Sequence, residues 1–157
     1  MLQFSPKGLL VPNGIIASDL NELKNNFVDV ASVSRKELFG QYLLYSESLK
    51  HCCNHSYMQW INGSYCTRKK EPDDIDLVSF IPHKLIEANE KLFQQFSHPN
   101  SENEFGVDGY IVRVYPESSR LHAQYISDRM YWLAKFSRTK INRAGKRDSK
   151  GFLEIIF

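Results

Sequence analysis

The chain has 157 residues, of which 42% are apolar and 24% are charged, and its formal net charge is +2. This length predicts one domain over residues 1–157, and the small net charge excludes a surface coated with basic residues, leaving room only for a local basic patch. The sequence has no run of 18 apolar residues and no signal-peptide pattern, so we expect a cytoplasmic protein without membrane insertion. The adjacent Cys52 and Cys53, with Cys66, favour reduced thiols over a disulfide framework.

The first half of the chain is predicted to be mainly helical. Residues 1–17 contain two prolines and two glycines, and we expect them to form an extended arm with turns. A short helix follows, with Ser18 or Asp19 as its N-cap. A longer helix is predicted to begin at Ser34, which has the spacing of a capping box with Glu37.

The second half alternates between apolar runs and amphipathic segments. Strands are predicted at 57–61, 76–81, 110–116 and 152–157, and helices at 82–96 and 120–141. Residues 98–106 and the basic segment 142–151 are predicted to be loops. These elements indicate an α/β or α+β fold with a small mixed β-sheet flanked by helices.

Two aspartates open the second predicted strand. Side chains alternate along a strand, so Asp74 and Asp76 are predicted to project from the same face while Ile75 points the other way. Two neighbouring carboxylates repel each other unless a cation lies between them, and Mg²⁺ prefers oxygen ligands of this kind. Gly63 and Ser64, at the end of the preceding strand, could hold a phosphate through backbone N–H groups and a hydroxyl.

This pattern resembles the signature of the DNA polymerase beta-like nucleotidyltransferases. The order is Gly63-Ser64, a spacer of nine residues, and then Asp74-Ile75-Asp76-Leu77. The resemblance implies a minimal nucleotidyltransferase fold and a third carboxylate near a later strand. Asp108, in "GVDGYIVRVYP", matches that position best, and Glu104 is the alternative.

Longer segments extend the resemblance over most of the chain. The segments "VPNGIIASDLNELKNNFV", "SRKELF", "WINGSYCTRKKEPDDIDLV" and "YWLAKFSRTKINRAGKRDSKGFLEIIF" are similar to a compact bacterial group of uncharacterised nucleotidyltransferases. The resemblance implies that Asp74, Asp76 and Asp108 hold two Mg²⁺ or Mn²⁺ ions. A nucleoside triphosphate would be the donor, with its β- and γ-phosphates on Gly63 and Ser64.

The resemblance leaves the acceptor open. Relatives occur in anti-phage defence operons and in toxin–antitoxin pairs, so the acceptor hydroxyl could belong to an oligonucleotide, a tRNA or a protein, with an operon-encoded partner. The chain has no room for template-binding domains, which favours template-independent synthesis of short oligonucleotides. Toxin–antitoxin-type modification of a protein or tRNA is the first alternative. A catalytically silent nucleotide-binding regulator is the alternative of a different class.

Basic residues form a second candidate for ligand binding. The cluster near the C-terminal end consists of Arg138, Lys140, Arg143, Lys146, Arg147 and Lys150. With Trp132 and Phe136 nearby, it is interpreted either as a site for a triphosphate or nucleic-acid backbone or as an ordinary surface loop. Lys150 is the member assigned to nucleotide binding.

The remaining polar residues have plainer interpretations. Residues 68–70 are interpreted as a solvated basic face or a triphosphate contact, and Asp73 as a solvated turn residue. No histidine has a spacing typical of a zinc ligand, and Cys66 is interpreted as a packing residue rather than a nucleophile.

Overall fold

A five-stranded mixed β-sheet forms the centre of the protein in a computed structural model, which describes residues 1–28 and 32–157. In chain order, the described helices and strands are β1 (Gln3–Phe4), β2 (Leu10–Val11), β3 (Gly14–Ala17), α1 (Leu20–Phe27), α2 (Val33–Cys53), β4 (Met58–Asn62), β5 (Asp76–Pro82), α3 (His83–Ala88), α4 (Glu90–Phe93), α5 (Asn100–Phe105), β6 (Asp108–Val114), α6 (His122–Phe136) and β7 (Gly151–Ile156). The mixed α and β content and the single mixed main sheet confirm the predicted fold class.

The strand order of the main sheet is β3-β7-β4-β5-β6. In the centre of the sheet, β4 is antiparallel to both β7 and β5. At the two edges, β3 pairs in parallel with β7 and β6 pairs in parallel with β5. The parallel β5–β6 pair is connected by α3, α4 and α5, which is the crossover that a parallel connection requires. This order brings the starts of β5 and β6 to the same edge of the sheet as the end of β4.

Helices cover the sheet on both faces. On one face, α2 packs Tyr42, Tyr45 and Leu49 against Ile61 and other buried strand residues. On the opposite face, α6 packs Trp132 and Phe136 against a smaller cluster that includes Trp60, Val78 and Phe152. Alternate residues of each strand therefore enter different cores, as the period of two requires.

The N-terminal residues contribute to the sheet and the core. Residues 1–17 were expected to form an extended arm with turns, but they contain the antiparallel β1–β2 pair and the edge strand β3. Leu10 is fully buried, and Leu2 is almost so. Burial of these leucines explains why this segment follows the core closely despite its prolines and glycines.

Other differences from the predicted elements concern helix ends. Asp19 caps α1, as expected, by accepting from the Glu22 N–H at 2.8 Å. The N-cap of α2 is Ser32, not Ser34, so the capping box with Glu37 is wrong; the Ser34 hydroxyl donates to Glu71 instead, at 2.6 Å. The predicted helix 82–96 is divided at Asn89, and part of the predicted loop 98–106 forms α5.

Within the parts of the chain that the structure describes, none of the helices combines the length and the apolar character needed to cross a membrane.

Candidate functional site

Three polar residues form a row across the edge of the sheet. Asn62 on β4 pairs with Asp76 on β5, and Asp76 pairs in turn with Asp108 on β6. Trp60 and Val78, two residues along their strands from Asn62 and Asp76, pack under α6. The three polar side chains therefore project from the α6 face, beyond the end of its apolar core.

Asp74 joins this row from the loop before β5. Its Oδ1 accepts from the Ser64 backbone N–H at 2.7 Å, and its Oδ2 accepts from Lys140 Nζ at 3.1 Å. Asp74 and Asp76 line the same cleft, so the structure brings the two predicted carboxylates together. Asp73 also borders this cleft, but its side chain is exposed and forms an ion pair with Lys69.

The Ser64 hydroxyl holds the aspartate loop, which carries Asp73 and Asp74, through hydrogen bonds to its backbone. Its Oγ accepts from the backbone N–H groups of Asp73 and Asp74, at 2.9 and 3.3 Å. The nearest acceptor for the hydroxyl proton is the Asp74 carbonyl oxygen, at a long 3.5 Å. The hydroxyl proton is thus the group of Ser64 that remains for a phosphate, because its backbone N–H is already paired with Asp74.

Gly63 is required by the close approach of two segments. Its φ is +86°, and a Cβ at this position would lie 2.7 Å from the Asp74 carbonyl oxygen and 3.0 Å from the Asp76 nitrogen. Both contacts are with backbone atoms, which cannot move aside easily. The role that the structure gives this glycine is therefore to let the end of β4 pass close to the start of β5.

Asp74 and Asp76 share a cleft of about 460 Å³ with several cationic side chains, and Asp108 does not line this cleft. The basic residues that line this cleft are Lys69, Lys135, Arg138, Lys140, Arg147 and Lys150. Lys150 is 6% exposed, and its Nζ lies 3.5 Å from the Gly63 carbonyl oxygen, so its ammonium group is close to the Gly63-Ser64 turn. Four members of the predicted basic cluster thus reach the cleft, whereas Arg143 and Lys146 are exposed and do not line it.

The two aromatic residues predicted to assist that cluster are core residues. Trp132 is 8% exposed and Phe136 is 1% exposed, and both pack against the sheet. Phe136 lines the cleft, and Trp132 does not. Both rings therefore belong mainly to the core under α6 and do not form an exposed surface beside the basic cluster.

The pKa values of Asp76 and Asp74 are shifted in opposite directions. Burial, followed by repulsion from Asp74 and Asp108, raises the pKa of Asp76 to about 6. For Asp74, burial also acts upward, but the hydrogen bonds from Ser64 and Lys140 outweigh it and hold the pKa below its ordinary value. Burial lowers the pKa of Lys150, against the opposing effects of Cys66 and of the two carboxylates.

Asp108 has a neighbour that the sequence analysis missed. His98 Nδ1 lies 2.8 Å from Asp108 Oδ1, although the pair does not have hydrogen-bond geometry, and 3.9 Å from Glu102 Oε2. The i,i+4 spacing of His98 and Glu102 was the available signal. Glu104, the alternative third carboxylate, is exposed on α5 rather than next to Asp76 on the sheet.

Within the described residues, the acidic and histidine side chains whose ligand atoms lie within 4.8 Å of one another are His98, Glu102 and Asp108, and the three aspartates do not form such a group. Asp74, Asp76 and Asp108 supply carboxylates, and within the described residues the Asp76 carboxylate has no hydrogen-bond donor. Oxygen donors of this kind suit Mg²⁺ or Mn²⁺ better than zinc, which favours nitrogen and sulfur ligands. Cys66 lies nearby but is fully buried, and burial raises the pKa of its thiol to about 12, so it is a packing residue.

Comparison with known proteins shows the family to which the chain belongs. Neither the curated proteins nor the solved structures contain a significant match to the chain. One family model, described as a family of unknown function (DUF6932), matches residues 2–156. Because this match covers almost the whole chain, the protein belongs to the DUF6932 family.

Proposed function

We propose that this protein is a Mg²⁺-dependent nucleotidyltransferase, which transfers a nucleotide from a nucleoside triphosphate to an acceptor hydroxyl. The observation that carries the proposal is the Asp76 carboxylate, which is half-buried, lacks a hydrogen-bond donor among the described residues and lies between two further aspartates. A chain that maintains this repulsion without a cation loses stability for no structural gain. A bound divalent cation would remove that cost.

The cationic side chains support a polyanionic ligand in the same cleft. Lys140 is bound to Asp74 in this structure, but its side chain is 90% exposed. Exposed ion pairs contribute only about 0–1 kcal/mol, so a metal ion can replace Lys140 at little cost. Lys140 would then be free to contact a phosphate, together with Lys150 and the Ser64 hydroxyl.

The proposed reaction is an in-line displacement at the α-phosphorus. The acceptor oxygen forms a bond to this phosphorus while the bond to the bridging oxygen breaks, and pyrophosphate leaves. Divalent cations, when bound, stabilise the charge on the attacking and leaving oxygens. Asp108 accepts the hydroxyl proton, directly or through water, and the lysines neutralise the departing pyrophosphate.

For the acceptor, we propose template-independent synthesis of short oligonucleotides in an anti-phage defence system. The support is the resemblance in sequence. Modification of a protein or tRNA, as in toxin–antitoxin pairs, is the alternative within the same chemistry. A catalytically silent nucleotide-binding regulator is the alternative of another class.

The test is incubation of the pure protein with each α-³²P-labelled nucleoside triphosphate and Mg²⁺, followed by a denaturing gel. A ladder of labelled products supports oligonucleotide synthesis, and a single labelled band with an added tRNA or partner protein supports modification. Asp76→Asn should abolish either product. Asp128→Asn, an exposed acidic residue of α6, is the matched control and should leave product formation unchanged.

Nucleotide binding, measured by calorimetry, and product formation together separate the silent regulator from the enzyme. A regulator would bind the nucleotide but yield no labelled product with any acceptor. The enzyme should bind the nucleotide more tightly with Mg²⁺ than in a chelator. Equal affinity under both conditions would contradict the metal-dependent site.

A further inference from the structure

Asn62 has a buried acceptor without a donor. It is 4% exposed, ends β4 and lines the cleft. Its Nδ2 donates to the Phe136 carbonyl oxygen at 3.4 Å, which leaves Oδ1 as the free end of the amide. Within residues 1–28 and 32–157, Oδ1 has no hydrogen-bond partner. Since leaving a buried acceptor unpaired costs free energy, we expect a group from outside the chain to contact it.

The position of Asn62 indicates which group this is. Asn62 pairs with Asp76 on one side of β5, and Asp108 pairs with Asp76 on the other. Residues that pair across neighbouring strands project from the same face, so Asn62 and Asp108 flank the Asp76 carboxylate. A cation can bind the amide oxygen of Asn62 and the neighbouring unpaired carboxylate of Asp76 at the same time. A hydrogen-bond donor of the substrate would instead bind Asp76, because a carboxylate is a stronger acceptor than an amide oxygen.

We infer that Asn62 Oδ1 is a neutral oxygen ligand of the divalent cation that Asp76 holds. This inference rests on the proposed function. Three carboxylates already repel one another, and a fourth charge would increase that repulsion, whereas an amide oxygen adds a ligand without adding charge. The hydrogen bond from Nδ2 to the Phe136 carbonyl oxygen holds the other end of the amide and leaves Oδ1 free to bind a ligand.

The test uses Mn²⁺ alone as the probe, without nucleotide. Free Mn²⁺ is measured by electron paramagnetic resonance during a titration, and water-proton relaxation measures the water molecules on the bound ion. Asn62→Leu keeps a similar volume but removes the oxygen, so it should weaken Mn²⁺ binding by about tenfold or more and leave additional water on any ion that binds. Asn62→Asp keeps an oxygen and should retain binding.

The matched control is Asn103→Leu, at an exposed position of α5, which should bind Mn²⁺ like the natural chain. Circular dichroism establishes that each variant is folded, and Asn62→Ala replaces Asn62→Leu if the leucine variant does not fold. Asp76→Asn separates the two levels of the argument. If the natural chain does not bind Mn²⁺, the proposed function fails and the inference fails with it. If Asp76→Asn loses binding while Asn62→Leu keeps natural affinity and hydration, the assignment of Asn62 alone is overturned.

Discussion

At the scale of single residues, the surroundings of Asp76 disfavour the ionised form of its carboxyl group. Its carboxylate is half-buried between Asp74 and Asp108, and its pKa is raised to about 6 from an ordinary value of 3.8. A raised pKa means that the folded state binds a proton more tightly than the unfolded state does. The ionised carboxylate therefore destabilises the fold at neutral pH, when no cation is bound.

Asp76→Asn should stabilise the metal-free protein in a pH-dependent way. At pH 4 the carboxyl is protonated in the folded state and roughly half protonated in the unfolded state, so the substitution should have only a small effect. At pH 7.5 it is ionised in both states, and the gap between about 6 and 3.8 corresponds to at most about 3 kcal/mol in favour of the variant. Urea unfolding in chelator at pH 4 and pH 7.5 measures the difference.

Two controls accompany this experiment. Asp128→Asn should give no such pH dependence, because Asp128 is exposed on α6. Mg²⁺ should stabilise the natural chain and not Asp76→Asn, because only the natural chain has the carboxylate to hold it. An Asp76→Asn variant that is less stable than the natural chain at pH 7.5 would show that the carboxylate is structural.

Gly63→Ala should damage both stability and the site. The new Cβ would contact backbone atoms of Asp74 and Asp76, in a conformation with φ of +86°. We expect a loss of about 2–4 kcal/mol, from backbone strain and overpacking together. Gly145→Ala is the control, since Gly145 has φ of +73° but no atom within 4 Å of the new Cβ. Equal losses in urea unfolding would mean that strain alone, without the contact with the aspartate loop, accounts for the effect.

At the scale of elements, α2 holds the loop between Gly63-Ser64 and the aspartates. Arg35, in its first turn, is 6% exposed and donates to the carbonyl oxygens of Tyr65 at 2.9 Å and Thr67 at 2.7 Å, and also to that of Lys69. Its guanidinium also lies 5.4 Å from the centre of the Tyr65 ring. One helix thus fixes the path of a loop that carries no regular secondary structure.

Arg35→Lys should destabilise the protein although it conserves the charge. The planar guanidinium of arginine reaches three carbonyl oxygens, and a lysine ammonium group lacks this fork. Buried acceptors therefore lose their donors, at a cost of about 2–4 kcal/mol. Lys36→Arg, the neighbouring exposed position on α2, should change stability by less than about 0.5 kcal/mol. Urea unfolding of the two variants provides the comparison, and similar small effects would contradict the role of Arg35.

At the scale of the whole molecule, the two ends of the chain complete the sheet together. β3 pairs in parallel with β7 over four residues, and β7 pairs with β4 on its other side. Leu10, which precedes β3, is fully buried in the core under α2. Removing apolar contacts near the N-terminus should therefore affect global stability.

Leu10→Ala should cost about 2–5 kcal/mol, the range for a large-to-small change in a core. Leu44→Ala on α2 is the matched control, because Leu44 is 56% exposed, and it should change stability by less than about 0.5 kcal/mol. Thermal unfolding of both variants tests the expectation. A Leu10→Ala variant as stable as the control would mean that the N-terminal segment is a separable arm.

The sequence by itself determined the features that depend on neighbouring residues. Short apolar runs located the four predicted strands to within about two residues, because the side chains that make such a run are neighbours in the sequence. Alternation along a strand predicted a common side for Asp74 and Asp76, and they line one cleft although Asp74 lies in the loop before β5. The functional roles of these residues stay predictions.

The tertiary structure decided which distant residues meet. Strand order and register place Asp108 beside Asp76 and Asn62 on its other flank, and the loop after α6 brings Lys140 to Asp74. No local pattern specifies these contacts, because each depends on which strands pair and in which register. The burial of Trp132 was not specified for the same reason, since helix periodicity shows that one side of α6 is apolar but not how deeply each residue is buried.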